Sequence, residues 1–397
     1  MHILHLLDPS TCGDEGLLAC HHLISHQAPD VHHDAWLIGN SADERRAWSL
    51  GIPATDRIQP RALDGARVGI KRLIRARSMG GQARPDIIHC WCLPTLLLAR
   101  AAFGDSAHDP ARIAVLSHAP TNIAAGSAAG DDHTRREIIC TFDHLTRNAL
   151  APLLGISLNE NRWAPAIRLL EPPAFPPSGP FPHDRTTLRA ALDLEPTDIA
   201  VAILADPPGT LDAMQAMFTA GVLHALGPRT VFLIRRGAEQ ERRAVAYTRS
   251  HAHRWGMRLA DCSLPALLAA ADIALIDRAA HTLGTRHSAL GTVSPIAASL
   301  ALSMGIPLAS APGLFTSAPT AAGEPWPIHV AGSNHPGRSA VPLADLLAHP
   351  ALRIKLAEAA RAWCEKSRPR DAFRTGLSRT WDELATGIHH PEPLAVE

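Results

Sequence analysis

The sequence predicts an α/β protein of two domains, each a parallel sheet with crossover helices, and three observations predict it. Short aliphatic and β-branched runs alternate with longer amphipathic stretches. The alternation runs to Leu170, stops at a cluster of prolines, and restarts near Thr187. A chain of 397 residues, 46% of them hydrophobic, is long enough for each half to bury its own core.

Taken in order, the first half has predicted strands at His2 to Leu7, Ala35 to Gly39, Asp86 to Trp91, Ile113 to Ser117, Glu137 to Phe142 and Ile167 to Leu170, with helices between most of them. Pro172, Pro173, Pro176, Pro177, Pro180 and Pro182 then fall within eleven residues. Proline removes backbone donors and restricts its neighbours, so this stretch is expected to be a stiff, irregular linker. The predicted division is an N-terminal domain over 1–175, a linker over 176–184, a C-terminal domain over 185–370, and a helix and tail over 371–397.

The second half opens with an amphipathic helix around Thr187 to Leu192. Strands are predicted at Ile199 to Ala205, Thr230 to Ile234, Met257 to Ala260, Ile273 to Ile276, Pro307 to Ala309 and Ile328 to Val330. Helices are predicted at Thr210 to Ala225, Glu239 to Trp255, Leu264 to Ala271, Pro295 to Met304 and Ala351 to Cys364, the last with Pro350 at its tolerant first position. On a final helix after an Asp371 cap, Phe373, Leu377, Trp381 and Leu384 are spaced by four, four and three, an apolar stripe that has to pack on something. Return of this helix to the N-terminal domain is one option.

Bulk composition excludes several classes. The formal net charge is zero, so no basic field spans a face to hold a nucleic acid. Seven cysteines, an odd number scattered along the chain, make no disulfide framework and point to a reducing cytoplasm. The start MHILHLL has neither the positive flank nor the long apolar core of a signal peptide, and no apolar run is long enough to span a bilayer. A soluble, cytoplasmic protein is expected, with peripheral membrane contact left open. Arginine outnumbers the three lysines, Lys71, Lys355 and Lys366, so any phosphate has to be held by arginine, histidine or backbone N–H groups.

Several segments, in order along nearly the whole chain, resemble the retaining glycosyltransferases of family four, also called group one. The loop Thr11-Cys12-Gly13-Asp14-Glu15-Gly16 after the first strand is similar to that family's glycine-rich loop. Glycine there lets a ligand approach a helix N-terminus, whose free N–H groups favour negative charge by roughly 0.3–1 kcal/mol; the same residues also read as a tight turn. Asp86-Ile87-Ile88-His89-Cys90-Trp91 resembles the family strand D-V-V-H-x-H, with Trp91 replacing the second histidine. Leu116-Ser117-His118 is similar to the end of the next strand, whose histidine lies by the donor sugar. His118 and His89 are thus candidates, packing being the alternative role for both. Leu264 to Leu275 is similar to the L-L-x-x-A-D-V helix and strand, where Asp272 reads as a cap or turn residue. Ala301 to Ala309 resembles E-A-M-A-x-G-x-P-V-V, and Leu346 to Arg361 the family's tail.

The resemblance implies the GT-B fold, two Rossmann-like domains facing across a cleft. It also implies transfer of a sugar from a nucleotide-sugar donor to an unknown acceptor, with no cofactor and no required metal.

The sequence departs from the family at the donor side. Two glutamates eight apart, which in the family reach the donor sugar and its ribose, fall here at Thr292 and Leu300. Leucine accepts no hydrogen bond, and a ribose diol left unpaired in a closed site costs roughly 1–3 kcal/mol per group. The family's arginine and lysine on the diphosphate are missing from Leu204-Ala205-Asp206-Pro207-Pro208-Gly209-Thr210. Candidate substitutes are Arg235 and Arg236 at the end of a strand, Arg278 and Arg286, and the helix start at Ser294-Pro295. The resulting site assignment is His118 as catalytic residue, Gly13, Arg235, Arg236 and Ser294 as donor and phosphate ligands, and no metal ligands.

Other signals are weak. Cys90 and Cys92 lack further converging ligands, and His21-His22, His32-His33 and His389-His390 lack the spacing that turns adjacent imidazoles to one metal. No Walker loop, G-x-S-x-G or H-E-x-x-H occurs, which disfavours ATPase and hydrolase readings. Two other functions compete with transfer: a non-catalytic relative acting as a binding or scaffold module, and an epimerase of the same fold, for which no clear acidic pair is present.

Overall fold

The computed structural model describes residues 1–26, 30–52, 56–58, 84–102, 110–116, 137–141, 167–170, 172–177, 179–181, 183–204, 219–223, 230–236, 256–276, 295–310, 328–330, 340–367 and 372–386. Thirteen strands are formed among the described residues. They are β1 (His2–Leu7), β2 (His32–Ile38), β3 (Asp56–Ile58), β4 (Ile87–Cys90), β5 (Ala111–Leu116), β6 (Glu137–Thr141), β7 (Ile167–Leu169), β8 (Ile199–Ile203), β9 (Thr230–Arg235), β10 (Met257–Ala260), β11 (Ile273–Ile276), β12 (Leu308–Ser310) and β13 (Ile328–Val330).

Two sheets result, in the orders β3-β2-β1-β4-β5-β6-β7 and β10-β9-β8-β11-β12-β13. Every pairing is parallel. In each sheet the first strand lies inside the order, so the chain winds outward, returns and winds the other way. That reversal sits between β1 and β4 in one sheet and between β8 and β11 in the other. In such sheets, ligands bind outside the carboxyl ends of the strands at the reversal point.

The described helices are α1 (Pro9–Ser25), α2 (Ser41–Ser49), α3 (Leu93–Ala102), α4 (Arg185–Ala191), α5 (Leu264–Ala270), α6 (Pro295–Ser303), α7 (Ala340–Ala348), α8 (Pro350–Ser367) and α9 (Ala372–Thr386), beside a helical segment at 219–223. The predicted helix over 239–255 lies outside the described residues.

The chain divides into two compact units: Met1–Leu170 with Phe373–Glu397, and Glu171–Ala372. In the first, Leu4, Leu6, Trp36, Ile38, Ile88 and Cys90 on one face of the sheet pack with Leu93, Leu96 and Ala99 of α3. Helix α9 belongs to this unit, and its stripe Phe373, Leu377, Trp381 and Leu384 is buried. Its anchor is a buried ion pair from Arg168 on β7 to Glu383, with Arg374 donating to the His26 carbonyl at 2.7 Å. In the second unit, Val201, Ile203, Phe232, Ile234, Ile273 and Leu275 build the core with Leu343, Leu346 and Leu347 of α7. Parallel strands covered on both faces read as unbroken apolar runs, which is why these elements were visible in sequence.

Two elements were not predicted. Strand β3 is three residues long, too short for its alternation to register, and α7 carries Pro342 inside its first turn, which masks a helical pattern.

Candidate functional site

At the reversal point of the first sheet, the chain leaves β1 through Asp8. Its carboxylate accepts from Ser10 N (3.1 Å) and Thr11 Oγ1 (2.9 Å) and caps a single turn. Gly13 then breaks the helix at φ 66° and ψ −170°, a combination only glycine adopts without strain, and the helix resumes at Asp14. Gly16 allows close packing of the new turn on the old, since a Cβ there would lie 2.7 Å from that of Cys12. The buried Asp14 carboxylate accepts from Arg46 Nε of α2 at 2.5 Å, and the same guanidinium donates to the Pro9 carbonyl at 3.0 Å. The loop is therefore held from both sides, with the first amides of the resumed helix beside it.

On the face of this sheet opposite α3 lies a group of rings. His5 and His89 are register partners on β1 and β4, and His33 pairs with Ile3, so alternation puts all three on one face. Trp91 Nε1 donates to His5 Nδ1 at 3.2 Å, and His5 Nε2 lies 2.8 Å from His33 Nδ1. Indole is a donor only, so neutral His5 carries its proton on Nε2 and gives it to His33, whose own proton is then on Nε2. His89 stacks on Trp91 with centroids 4.3 Å apart, and Trp381 of α9 meets His89 and His33 edge-on at 6.1 and 5.8 Å.

Burial holds these imidazoles neutral. His89 is lowered to about 3, first by desolvation and then by His33; His33 is lowered to about 4 by desolvation, His32 and His2; and His5 is pushed well down by desolvation, His89 and His33. A group that ionises only near pH 3 moves no proton at neutral pH. His89 is thus a packed, neutral ring, and neither of its nitrogens has a hydrogen-bond partner among the described residues. Trp91, standing where the resembling strand has its second histidine, spends its N–H on His5.

In the second unit, Arg235 and Arg236 sit at the carboxyl end of β9. Arg235 is buried and its Nε donates to the Cys262 carbonyl at 3.3 Å, whereas Arg236 is exposed. Consecutive residues on a strand start their side chains toward opposite faces, so the two arginines leave the backbone in different directions. Asp272 is structural: it accepts from Ala200 N at 2.8 Å, Arg189 Nη1 at 3.1 Å and Arg185 Nη2 at 2.6 Å, tying α4 to the starts of β8 and β11. Leu300, where the resembling sequences have their second glutamate, is fully buried in α6.

Of the residues predicted from sequence, the structure places Gly13 at the carboxyl end of β1 and the two arginines at that of β9. His118, Ser294, Thr292, Arg278 and Arg286 lie outside the described residues. Sequence reasoning missed the roles of His5, His33 and Arg46, and for Trp381 it gave the packing stripe but not the ring contacts. Their partners come from strand register and from helix packing, which residue types alone do not display.

Comparison with protein-family models gives no match, and comparison with curated proteins gives none. Solved structures do match, over nearly the whole chain. A glycosyltransferase from Rickettsia africae ESF-5 is similar over 98% of this chain and 99% of its own, with a TM-score of 0.63 and 11% identity. Anabaena HepE, solved in complex with UDP-glucose, is similar over 96% and 100%, with a TM-score of 0.67 and 13% identity. A UDP-GlcNAc 2-epimerase from Neisseria meningitidis bound to UDP-GlcNAc is similar over 96% and 100%, with a TM-score of 0.56 and 13% identity. The fold is that of the GT-B glycosyltransferases, two parallel-sheet α/β domains with helices on the sheets. No helix among the described residues is long and apolar enough to cross a membrane.

Proposed function

We propose that this chain is a glycosyltransferase that moves a sugar from a nucleotide-sugar donor to an acceptor, with retention of configuration as in family four. The observation that carries the reading is the end-to-end likeness to a protein solved with UDP-glucose, which includes both units rather than one sheet. Charge separates between sugar and diphosphate during such a transfer, so fixed donors at the leaving group supply most of the rate. Arg235, Arg236 and the helix start at Ser294 take that role, replacing the family's missing arginine and lysine. The Gly13 loop admits the ligand to the amides of the resumed helix, and His118 stands beside the sugar. The nucleotide-sugar is substrate, and neither a cofactor nor a metal takes part in the transfer.

One observation favours the second reading, a non-catalytic relative that binds or scaffolds. Buried Leu300 offers nothing to a ribose diol, so a donor has to be held differently here or not at all. A thermal-shift and calorimetric panel of UDP, GDP and their sugars separates the two. Transfer predicts saturable binding of at least one nucleotide-sugar, lost at least tenfold when Arg235 and Arg236 are both changed to alanine. No binding at millimolar nucleotide favours the scaffold.

A further inference from the structure

At the other end of β1 and β2, the amino end, three ligand-bearing side chains converge. His2 and His32 are register partners on adjacent parallel strands, and Asp34 follows two residues along β2, so all three project from one face. His2 Nε2 lies 3.0 Å from Asp34 Oδ2, His32 Nε2 lies 3.7 Å from Asp34 Oδ1, and the two rings are 5.0 Å apart. One ligand atom from each fits within a common span of 4.8 Å. Tetrahedral ligands about 2.0–2.1 Å from a zinc ion sit roughly 3.3 Å from one another; the two imidazoles approach different Asp34 oxygens at 3.0 and 3.7 Å, so the exposed His32 ring has to shift for three ligand atoms within the 4.8 Å span to close on one ion.

The surroundings suit an ion. The Asp34 side chain is 8% exposed and the His2 side chain 16%, whereas that of His32 is 71% exposed, so a rigid buried pair is completed by one ring open to water. His2 is itself fixed, its backbone N–H donating to Asp86 Oδ2 at 2.7 Å. Two imidazoles and one carboxylate select borderline transition ions over magnesium or calcium, which prefer all-oxygen sets. Three protein ligands leave a fourth position for water or a small ligand.

We propose that His2, His32 and Asp34 form a binding site for a divalent transition ion of the zinc class, clamping the amino ends of β1 and β2. The site is far from the Gly13 loop, since β1 separates the two ends by roughly 17 Å at about 3.3 Å per residue. It is independent of the transfer reaction and takes no part in it.

The test uses the full chain without an affinity tag, titrated with Zn2+ by calorimetry and followed by thermal melting, with Mg2+ as the control ion. The expected result is one saturable Zn2+ equivalent that raises the melting temperature and weakens at least tenfold in His32→Ala, while His21→Ala behaves as wild type. His32 is exposed, so its loss leaves the fold intact, which far-ultraviolet circular dichroism verifies; Asp34→Asn is the second variant. Unchanged Zn2+ affinity and stoichiometry in folded His32→Ala overturns the proposal, as does wild-type protein that takes up no Zn2+ below millimolar concentration.

Discussion

Strand β1 at the reversal point of the first sheet buries His5 between His33 and His89, whereas β8, which holds the same place in the second sheet, buries Ala200, Val201, Ala202 and Ile203. The partner strands differ likewise: β4 carries His89, and β11 is Ile273, Ala274, Leu275 and Ile276. The same winding is thus stabilised in two ways. The strands at the reversal point of the second unit rely on apolar burial, which is indifferent to protons, with the Asp272 ion pairs to Arg185 and Arg189 at their amino ends. The first adds the buried Arg168–Glu383 pair and a stack of neutral imidazoles, and burial of those imidazoles couples its stability to pH.

The largest expected effects come from cutting each kind of support once. Phe232→Ala removes a fully buried ring from the second unit and is expected to cost about 3–5 kcal/mol. Glu383→Ala leaves the Arg168 charge buried in the first unit and is also expected to cost about 3–5 kcal/mol. Hydrogen exchange read strand by strand assigns each loss: Phe232→Ala should expose β8 and β9 amides, and Glu383→Ala those of β6 and β7. Loss of protection in both units from either change would erase the distinction.

Acid is the next largest effect. Because His89 ionises near pH 3 in the folded chain and near 6.5 when unfolded, the unfolded chain holds more protons between those values, so stability rises with pH there. The contribution is complete above about pH 6.5 and declines as pH falls, by about 1.4 kcal/mol per unit per ring and about 3 kcal/mol for His89 by pH 4. His5 acts in the same direction. Exchange protection of β1 and β4 should therefore fall between pH 6.5 and 4 while that of β8 and β11 holds. His89→Phe keeps a ring on Trp91 and should remove about 1.4 kcal/mol per pH unit from the slope; an unchanged slope would show that another group carries it.

The smallest effect sharpens the local end of the comparison. Asn40 caps α2, accepting from Ala42 N and Asp43 N, while Asp43 Oδ2 accepts from Asn40 N at 2.8 Å. Asn40→Ala should cost about 1 kcal/mol in the first unit alone, measured as a shifted urea midpoint with the second unit's exchange unaltered.

What the sequence disclosed follows from the range over which each signal acts. Strands such as Met257–Ala260 and Ile273–Ile276 were readable to the residue, since a short apolar run between turn residues is a local pattern. The break at Gly13 was foreshadowed by residue type alone. Register was not readable: whether His2 meets His32, or His5 meets His33, depends on pairing strands about thirty residues apart, and one sequence contains no record of pairing. Adjacent histidines do point away from one metal, as the spacing of His32-His33 required, yet His32 finds its neighbours on β1 and further along β2. The position of Arg235 and Arg236 at a strand end was readable, but their surroundings were not: Arg235 is buried with its Nε on the Cys262 carbonyl, and Arg236 is exposed.

The central claim, that a nucleotide-sugar is handled where the strands end at their carboxyl side, is most directly tested by hydrogen exchange of the full chain with and without saturating UDP-sugar. The account predicts protection concentrated in the Thr11–Gly16 loop and in the segment that follows Arg235. Protection confined to the amino ends of the strands, or none at millimolar donor for any nucleotide-sugar tried, would contradict it.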